Sequence, residues 1–98
     1  MNTLFIEYLV KEEREEKYVA YIKQTLAAYD HVVWLESNEQ RRLYLEMWTF
    51  QSMEKLVQFR NERAIQPDSF WRRLDSWIVG GQHKLNAWSF TVHAQYNR

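Results

Sequence analysis

The sequence contains no cysteine, and this absence excludes disulfide bonds, thiolate metal sites and cysteine nucleophiles. It has only one proline and two glycines among 98 residues, so linkers between domains are not expected. No apolar run approaches the length that spans a bilayer, and no basic stretch precedes an apolar core as in a secretory signal. We therefore expect a single domain over residues 1–98, located in the cytoplasm and without a membrane partner.

The chain also lacks net charge, because 13 basic residues balance 13 acidic ones. A balanced chain produces no overall field that would attract nucleic acid or an anionic lipid surface. There is no glycine-rich phosphate loop, no serine in a nucleophile elbow and no paired-histidine motif. Nucleotide-binding, serine hydrolase and zinc protease functions therefore have no support, and we predict neither a nucleic-acid partner nor a cofactor.

Aromatic and apolar residues are abundant, with aromatics at 16% and five tryptophans. Two strand-like segments, 3–10 and 42–50, are apolar on both alternating sets of side chains. In the first, the two sets are Leu4, Ile6, Tyr8, Val10 and Phe5, Glu7, Leu9. A strand with one face in water should instead show one polar set. Because the predicted helices suffice to cover only one face, we predict that a second copy of the chain covers the other.

The predicted order of elements is strand, helix, strand, strand, helix pair, strand. We predict that the first helix ends at Asp30 and His31, and that Ser52 caps the second helix. A third helix should begin at Pro67 and Asp68 and end at Gly80 and Gly81. The last strand should cover residues 85–93. This order predicts an α+β fold of the ferredoxin-like βαββαβ type, with an antiparallel sheet. Its first and third strands should be adjacent at the centre, and its helices should cover one face.

The segment Leu45 to Leu56, with the sequence LEMWTFQSMEKL, reads as a strand that ends in an aromatic residue and runs into a capped amphipathic helix. Together with the chain length and the apolar strands, it resembles the dimeric α+β barrel superfamily, especially the group that includes antibiotic-biosynthesis-type monooxygenases. The resemblance spans about Thr3 to His93. It implies a homodimeric α+β barrel with an aromatic-lined cavity, and a cofactor-independent monooxygenase acting on a small hydrophobic or aromatic compound as one candidate function.

Haem-degrading relatives in this superfamily use an Asn on the first strand, and a Trp and an iron-ligating His on the second helical segment. The present chain has no histidine between His31 and His83, and it carries Glu7 rather than Asn on the first strand. Without the histidine the iron would lack its protein ligand. Trp71 and Trp77 are present in the helical segment, but each belongs to an apolar set typical of a core. Haem degradation is therefore disfavoured.

Glu7 and Glu46 are the candidate catalytic residues, since each interrupts an apolar strand near its middle. Neighbouring strands lie about 4.8 Å apart, so the two carboxylates would project into one space if both faced the barrel interior. Burial and mutual repulsion would then raise at least one carboxyl pKa, and the pair could serve as general acid and base. The candidate ligand-binding residues around them are Phe5, Trp34, Tyr44, Trp48 and Trp88.

Several alternatives remain open from the sequence. Each glutamate could instead pair with an arginine or lysine and only fix the strand register, which is the favoured interpretation. The protein could be a non-catalytic binder of a small hydrophobic ligand, or a structural dimer with a solid interior. A metal site from His93, Glu7 and Glu46 is disfavoured, because the histidines lack metal-ligand spacing. The arginines flanking Trp71 could bind an anion, but a solvated helix surface is favoured; they are Arg60, Arg63, Arg72 and Arg73.

Overall fold

The computed structural model describes residues 1–65 and 71–97, which form an α+β fold. The strands are β1 (Asn2–Leu9), β2 (Val32–Glu36), β3 (Leu43–Phe50) and β4 (Asn86–Thr91). The helices are α1 (Glu15–Leu26), α2 (Met53–Ile65) and the single turn α3 (Arg72–Asp75), with short 3₁₀ turns at Glu12–Arg14 and Gly81–Lys84. Among the described residues, no helix is both long and apolar enough to cross a bilayer.

The four strands form one antiparallel sheet in the order β2-β3-β1-β4. The long strands β1 and β3 lie side by side at the centre, with Ile6 opposite Glu46 and Glu7 opposite Leu45. Strand β4 pairs with the other edge of β1, where Phe5 lies opposite Trp88. The predicted antiparallel sheet is confirmed, and the arrangement is compatible with the predicted ferredoxin-like plan.

The helices cover one face of this sheet, which we call the helix face. Alternate residues of β1 are buried on it, whereas those between them are half-exposed on the opposite face. The core contains Leu4, Ile6, Tyr8, Tyr44 and Trp48 from the sheet, Tyr18 and Ile22 from α1, Leu56 from α2, and Trp71, Leu74 and Ile78 from the segment after α2. The core therefore lies in a single layer between the sheet and the helices.

Helix α1 buries one side through Tyr18, Ile22 and Leu26, which recur every four residues. The helix ends at Leu26, earlier than the predicted boundary at Asp30 and His31. The chain needs the extra residues to turn back toward β2, and His31 adopts a left-handed conformation with φ 61° while its carbonyl accepts a hydrogen bond from the Thr49 amide. The prediction of the helix was right, but its end was placed too late.

The predicted start of the third helix at Pro67 and Asp68 lies outside the described residues. Helix α3 ends at Asp75 and Ile78 pairs with Val10 in a β-bridge, so the predicted helix does not run as far as the glycine pair. Gly80 and Gly81 form the turn that follows, and both are left-handed, with φ 81° at Gly80 and 66° at Gly81. A Cβ atom added at Gly80 would lie 2.2 Å from Cγ of Lys84. Glycine is therefore required at this turn by its backbone conformation and by close packing.

Candidate functional site

Glu46 lies at the middle of β3 on the helix face, and its side chain is 0% exposed. Its Oε2 atom accepts hydrogen bonds from the Tyr8 hydroxyl and from the Arg63 guanidinium on α2. Its Oε1 atom accepts one from Nε1 of Trp48 at 2.9 Å. A buried carboxylate needs such partners, because loss of hydration is otherwise costly. The interpretation that Glu46 forms a structural ion pair with an arginine is confirmed.

Arg63 is equally buried, with a side chain only 3% exposed. Its guanidinium carbon lies 3.9 Å from the centre of the Trp71 ring, so the cation packs on an aromatic face as well as on Glu46. Burial is the largest single influence on the pKa of Arg63 and lowers it, but the negative charge of Glu46, its hydrogen bond and the neighbouring tyrosines together outweigh burial, so the pKa is raised. Arg63 therefore keeps its charge, and Glu46 is held by a permanent cation.

A chain of hydrogen bonds continues from Glu46 toward the edge of the sheet. The hydroxyl oxygens of Tyr8 and Tyr18 are 2.8 Å apart, and Nε1 of Trp34 donates to the Tyr18 hydroxyl at 2.9 Å. Because the single proton of Tyr8 goes to Glu46, Tyr18 must donate to Tyr8. Burial, followed by the charge of Glu46, raises the pKa of Tyr8, and burial likewise raises the pKa of Tyr18. Both phenols therefore stay neutral at physiological pH.

The hypothesis that the carboxylates of Glu7 and Glu46 project into one space is wrong. Side chains alternate along a strand, and the register puts Glu46 beside Ile6 and Glu7 beside Leu45. Glu46 consequently lies in the core under the helices, whereas Glu7 lies on the opposite face of the sheet. The two carboxylates do not share one space, and they do not form an acid–base pair.

The predicted ligand-binding aromatics are divided in the same way. Trp34, Tyr44 and Trp48 lie on the helix face, where the rings of Trp34 and Tyr44 stack with centroids 5.5 Å apart. Trp48 is buried against Phe59 with centroids 4.4 Å apart. These three side chains fill the core rather than line a cavity. Phe5 and Trp88 lie on the other face, and the expectation of one shared aromatic lining is therefore wrong.

That other face, which we call the open face, is apolar and uncovered. Its strand residues include Val33, Leu35, Leu45, Met47, Phe5, Trp88 and Phe90. Trp88 is 57% and Phe90 53% exposed, and the Phe5 and Phe90 rings meet edge to face at 5.3 Å. A groove of about 550 Å³ runs along this face. Glu7 is its one ionisable strand residue.

A different cavity, of about 360 Å³, lies on the helix face between α2 and β4. We call it the α2–β4 cavity. Its described apolar lining residues are Ile6, Leu85, Ala87 and Trp88, and its polar ones are Arg60, Arg63 and Asn86. Asn86 and Trp88 belong to the edge strand β4, where the register turns their side chains toward the open face. Arg60 donates a hydrogen bond from Nη2 to the Ala87 carbonyl at 2.8 Å, which fixes its guanidinium at the wall.

This cavity was not predicted from the sequence. The four arginines expected to share a solvated surface are in fact separated: Arg63 is buried on Glu46, Arg72 pairs with Asp75 at 3.0 Å, and Arg73 lies near the Tyr21 ring. The one sequence signal was the three-residue spacing of Arg60 and Arg63, which places both on one side of α2. Nothing in the sequence shows that β4 closes the other wall.

The proposed metal alternative has no counterpart in the structure. Over residues 1–65 and 71–97, no group of three or more His, Asp or Glu side chains is placed to hold a metal ion. Glu7 and Glu46 also lie on opposite faces of the sheet, so a site containing both is excluded by the register.

No protein-family model matches this chain, and no curated protein matches it either. Function must therefore be inferred from the geometry of the molecule itself.

Proposed function

We propose that the protein is a homodimeric binder of a small, largely apolar molecule, which occupies the α2–β4 cavity. The observation that carries the proposal is the cavity's combination of size and lining. Its volume of about 360 Å³ lies within the range of about 300–1,000 Å³ typical of small-molecule sites. Apolar walls with a few polar groups are the usual composition of such a site.

The open face supports the homodimer. Large exposed apolar patches on a sheet mark an interaction surface, and a two-fold pairing lets the same patch cover itself. Side chains such as Val33, Met47 and Phe90 are well suited to this role, because they bring no charge into the interface. Two copies joined in this way would form the homodimeric α+β barrel of the resembled superfamily, with the α2–β4 cavities on its outer, helix-covered side.

Binding without catalysis fits the candidate residues better than oxygenase chemistry does. Glu46 already accepts hydrogen bonds from Tyr8, Trp48 and the cationic Arg63, so it has little capacity to take a proton from a substrate. A cofactor-independent monooxygenase needs a base that converts its substrate into a carbanion. No described residue lining the α2–β4 cavity has a free carboxylate or imidazole.

A cofactor-independent monooxygenase is the second candidate, and one observation favours it. Glu7 is the single ionisable strand residue in the groove of the open face, among Phe5, Leu45 and Trp88. A second copy would enclose Glu7 among apolar side chains, where its carboxylate would be the general base available to a bound substrate. The two candidates differ in their dependence on this residue, because Glu7→Gln should abolish turnover in the second and leave binding unchanged in the first.

The binding function is tested by filling the cavity. Ala87 is the small residue of its wall, and Ala87→Leu should block ligand uptake; Ala20→Leu on the exposed side of α1 is the matched control. A panel of small aromatic compounds is screened by two-dimensional NMR of the ¹⁵N-labelled protein. We expect shifts at the amides of Leu85 and Ala87 in the unmodified chain and in Ala20→Leu, and none in Ala87→Leu. Equal shifts in all three would contradict the proposal.

A further inference from the structure

The α2–β4 cavity has an uncompensated positive charge. Two arginines line it, and its described lining residues include no acidic side chain. The charge of Arg63 is balanced by Glu46. Arg60, in contrast, forms no salt bridge within residues 1–65 and 71–97, and its one hydrogen bond there goes to the neutral carbonyl of Ala87. The described lining of the cavity therefore carries a net charge of one cation.

The geometry of Arg60 suits a planar acceptor. Its bond from Nη2 to Ala87 holds the guanidinium beside β4, and the remaining N–H groups of the fork are available to a ligand. A guanidinium recognises a carboxylate through two parallel hydrogen bonds, which gives orientation as well as affinity. The anchored position also reduces the conformational freedom that Arg60 would lose on binding.

Arg63 supplies a second, independent observation. Its side chain is 3% exposed, and its Nε atom is buried without a hydrogen-bond partner among the described residues. Buried donors are nearly always paired, so an orphaned one in a residue that lines the cavity points to an acceptor other than the described residues, such as a bound ligand. Arg63 therefore adds a donor without a described partner to the residues that line the cavity.

The other lining residues of the cavity favour a ligand whose remaining part is apolar. Ile6, Leu85 and Ala87 are apolar. Trp88 also lines the cavity, but the register turns its side chain toward the open face, so it provides no aromatic wall here. A ligand that satisfies the cavity must therefore carry a negative head and an apolar remainder.

We infer that the ligand of the α2–β4 cavity is a small carboxylate with an apolar body, whose carboxylate binds Arg60 and whose apolar part packs against Ile6 and Leu85. This inference rests on the proposed binding function and names the chemical class of its ligand. Arg60 is the residue that determines the preference for the anion.

The test compares 2-naphthoate with its neutral analogue 2-naphthamide, which has nearly the same shape. Dissociation constants are measured by NMR titration, following the amides of Leu85 and Ala87 and the Nε–H group of Arg60. We expect naphthoate to bind about tenfold to a hundredfold more tightly, as a charge-assisted hydrogen bond would provide. Arg60→Gln should remove this preference and still bind the amide, whereas Arg73→Gln, an exposed arginine outside the cavity, should retain it.

Each alternative result has a distinct meaning. Equal affinity for the two compounds, with shifts at Leu85 and Ala87, would overturn the carboxylate inference and leave the binding function standing. An unchanged preference in Arg60→Gln would overturn the role of Arg60. If neither compound shifts these amides, and no other aromatic compound does, the proposed function fails and the inference fails with it.

Discussion

Replacing Glu46 with glutamine should destabilise the fold severely, although the two side chains have nearly the same shape. The amide oxygen can still accept from Tyr8 or Trp48, but Arg63 would remain buried with its charge unbalanced. Removing one partner of a buried ion pair costs about 3–5 kcal/mol in the free energy of unfolding. A domain of this size has a total stability of about 5–15 kcal/mol, so the variant should be close to unfolding at room temperature.

A second replacement separates the charge from the packing. In Glu46→Gln/Arg63→Met both charges are gone, and well-packed apolar substitutes for buried ion pairs are often neutral or better. The double variant should therefore recover most of the lost stability, despite losing the contact of Arg63 with Trp71. Such a recovery would show that the stability lost in Glu46→Gln comes from the unbalanced charge of Arg63 and not from lost packing.

The assay is urea denaturation followed by circular dichroism, at one fixed protein concentration because a dimer's stability depends on it. Glu39→Gln, in the exposed turn between β2 and β3, is the control for loss of a carboxylate and should change stability little. A loss below about 1 kcal/mol in Glu46→Gln, which is the typical cost of an ordinary substitution, would refute the reasoning. So would a double variant less stable than Glu46→Gln.

Two further predictions concern pH and assembly. The pKa values of Tyr8 and Tyr18 are raised in the folded state, so above pH of about 10 the unfolded chain loses protons that the folded chain keeps. These two groups should not affect the free energy of unfolding below that pH, and they should lower it as the pH rises further. Thermal unfolding measured against pH should therefore differ between the unmodified protein and Tyr8→Phe/Tyr18→Phe above pH of about 10, and identical pH profiles would contradict the prediction. Met47→Asp on the open face should yield monomer or aggregate by size-exclusion chromatography with light scattering, because a charge would enter the interface. Lys23→Asp on α1 is its control, and a Met47→Asp protein that elutes as the unmodified dimer would show that this face is not the interface.

The sheet was predictable because its strands are long and rich in apolar and aromatic residues, and because the glycine pair marks a turn. Gly80 and Gly81 are both left-handed and form a turn, and β1 and β3 pair over eight residues each. Local pattern and tertiary structure agree in these elements.

The position of the candidate carboxylates was not predictable, and the reason is the same pattern that predicted the dimer. When both alternating sets of a strand are apolar, hydrophobicity no longer shows which set meets the helices. The relative facing of Glu7 and Glu46 then depends on the register of β1 against β3, which is set by tertiary packing. A shift of one residue would have reversed the facing of every side chain on one strand.

Arg63 was missed for a related reason. Its sequence neighbours on α2, Asn61 and Glu62, are polar, so a solvated position was the natural expectation. Its burial arises from Glu46, which is 17 residues away in sequence and attracts the guanidinium across the core. The α2–β4 cavity likewise depends on the approach of two elements that are distant in the chain, and no local pattern encodes it.

Native mass spectrometry with and without added 2-naphthoate reports both the homodimer and its uptake of a small molecule. We expect a species of twice the 12.1 kDa chain mass that gains the mass of the compound, while the Ala87→Leu variant gives the same dimer without the added mass. A species of 12.1 kDa at micromolar concentration would contradict the dimer. A dimer in which the unmodified chain and Ala87→Leu take up the compound equally would contradict the cavity.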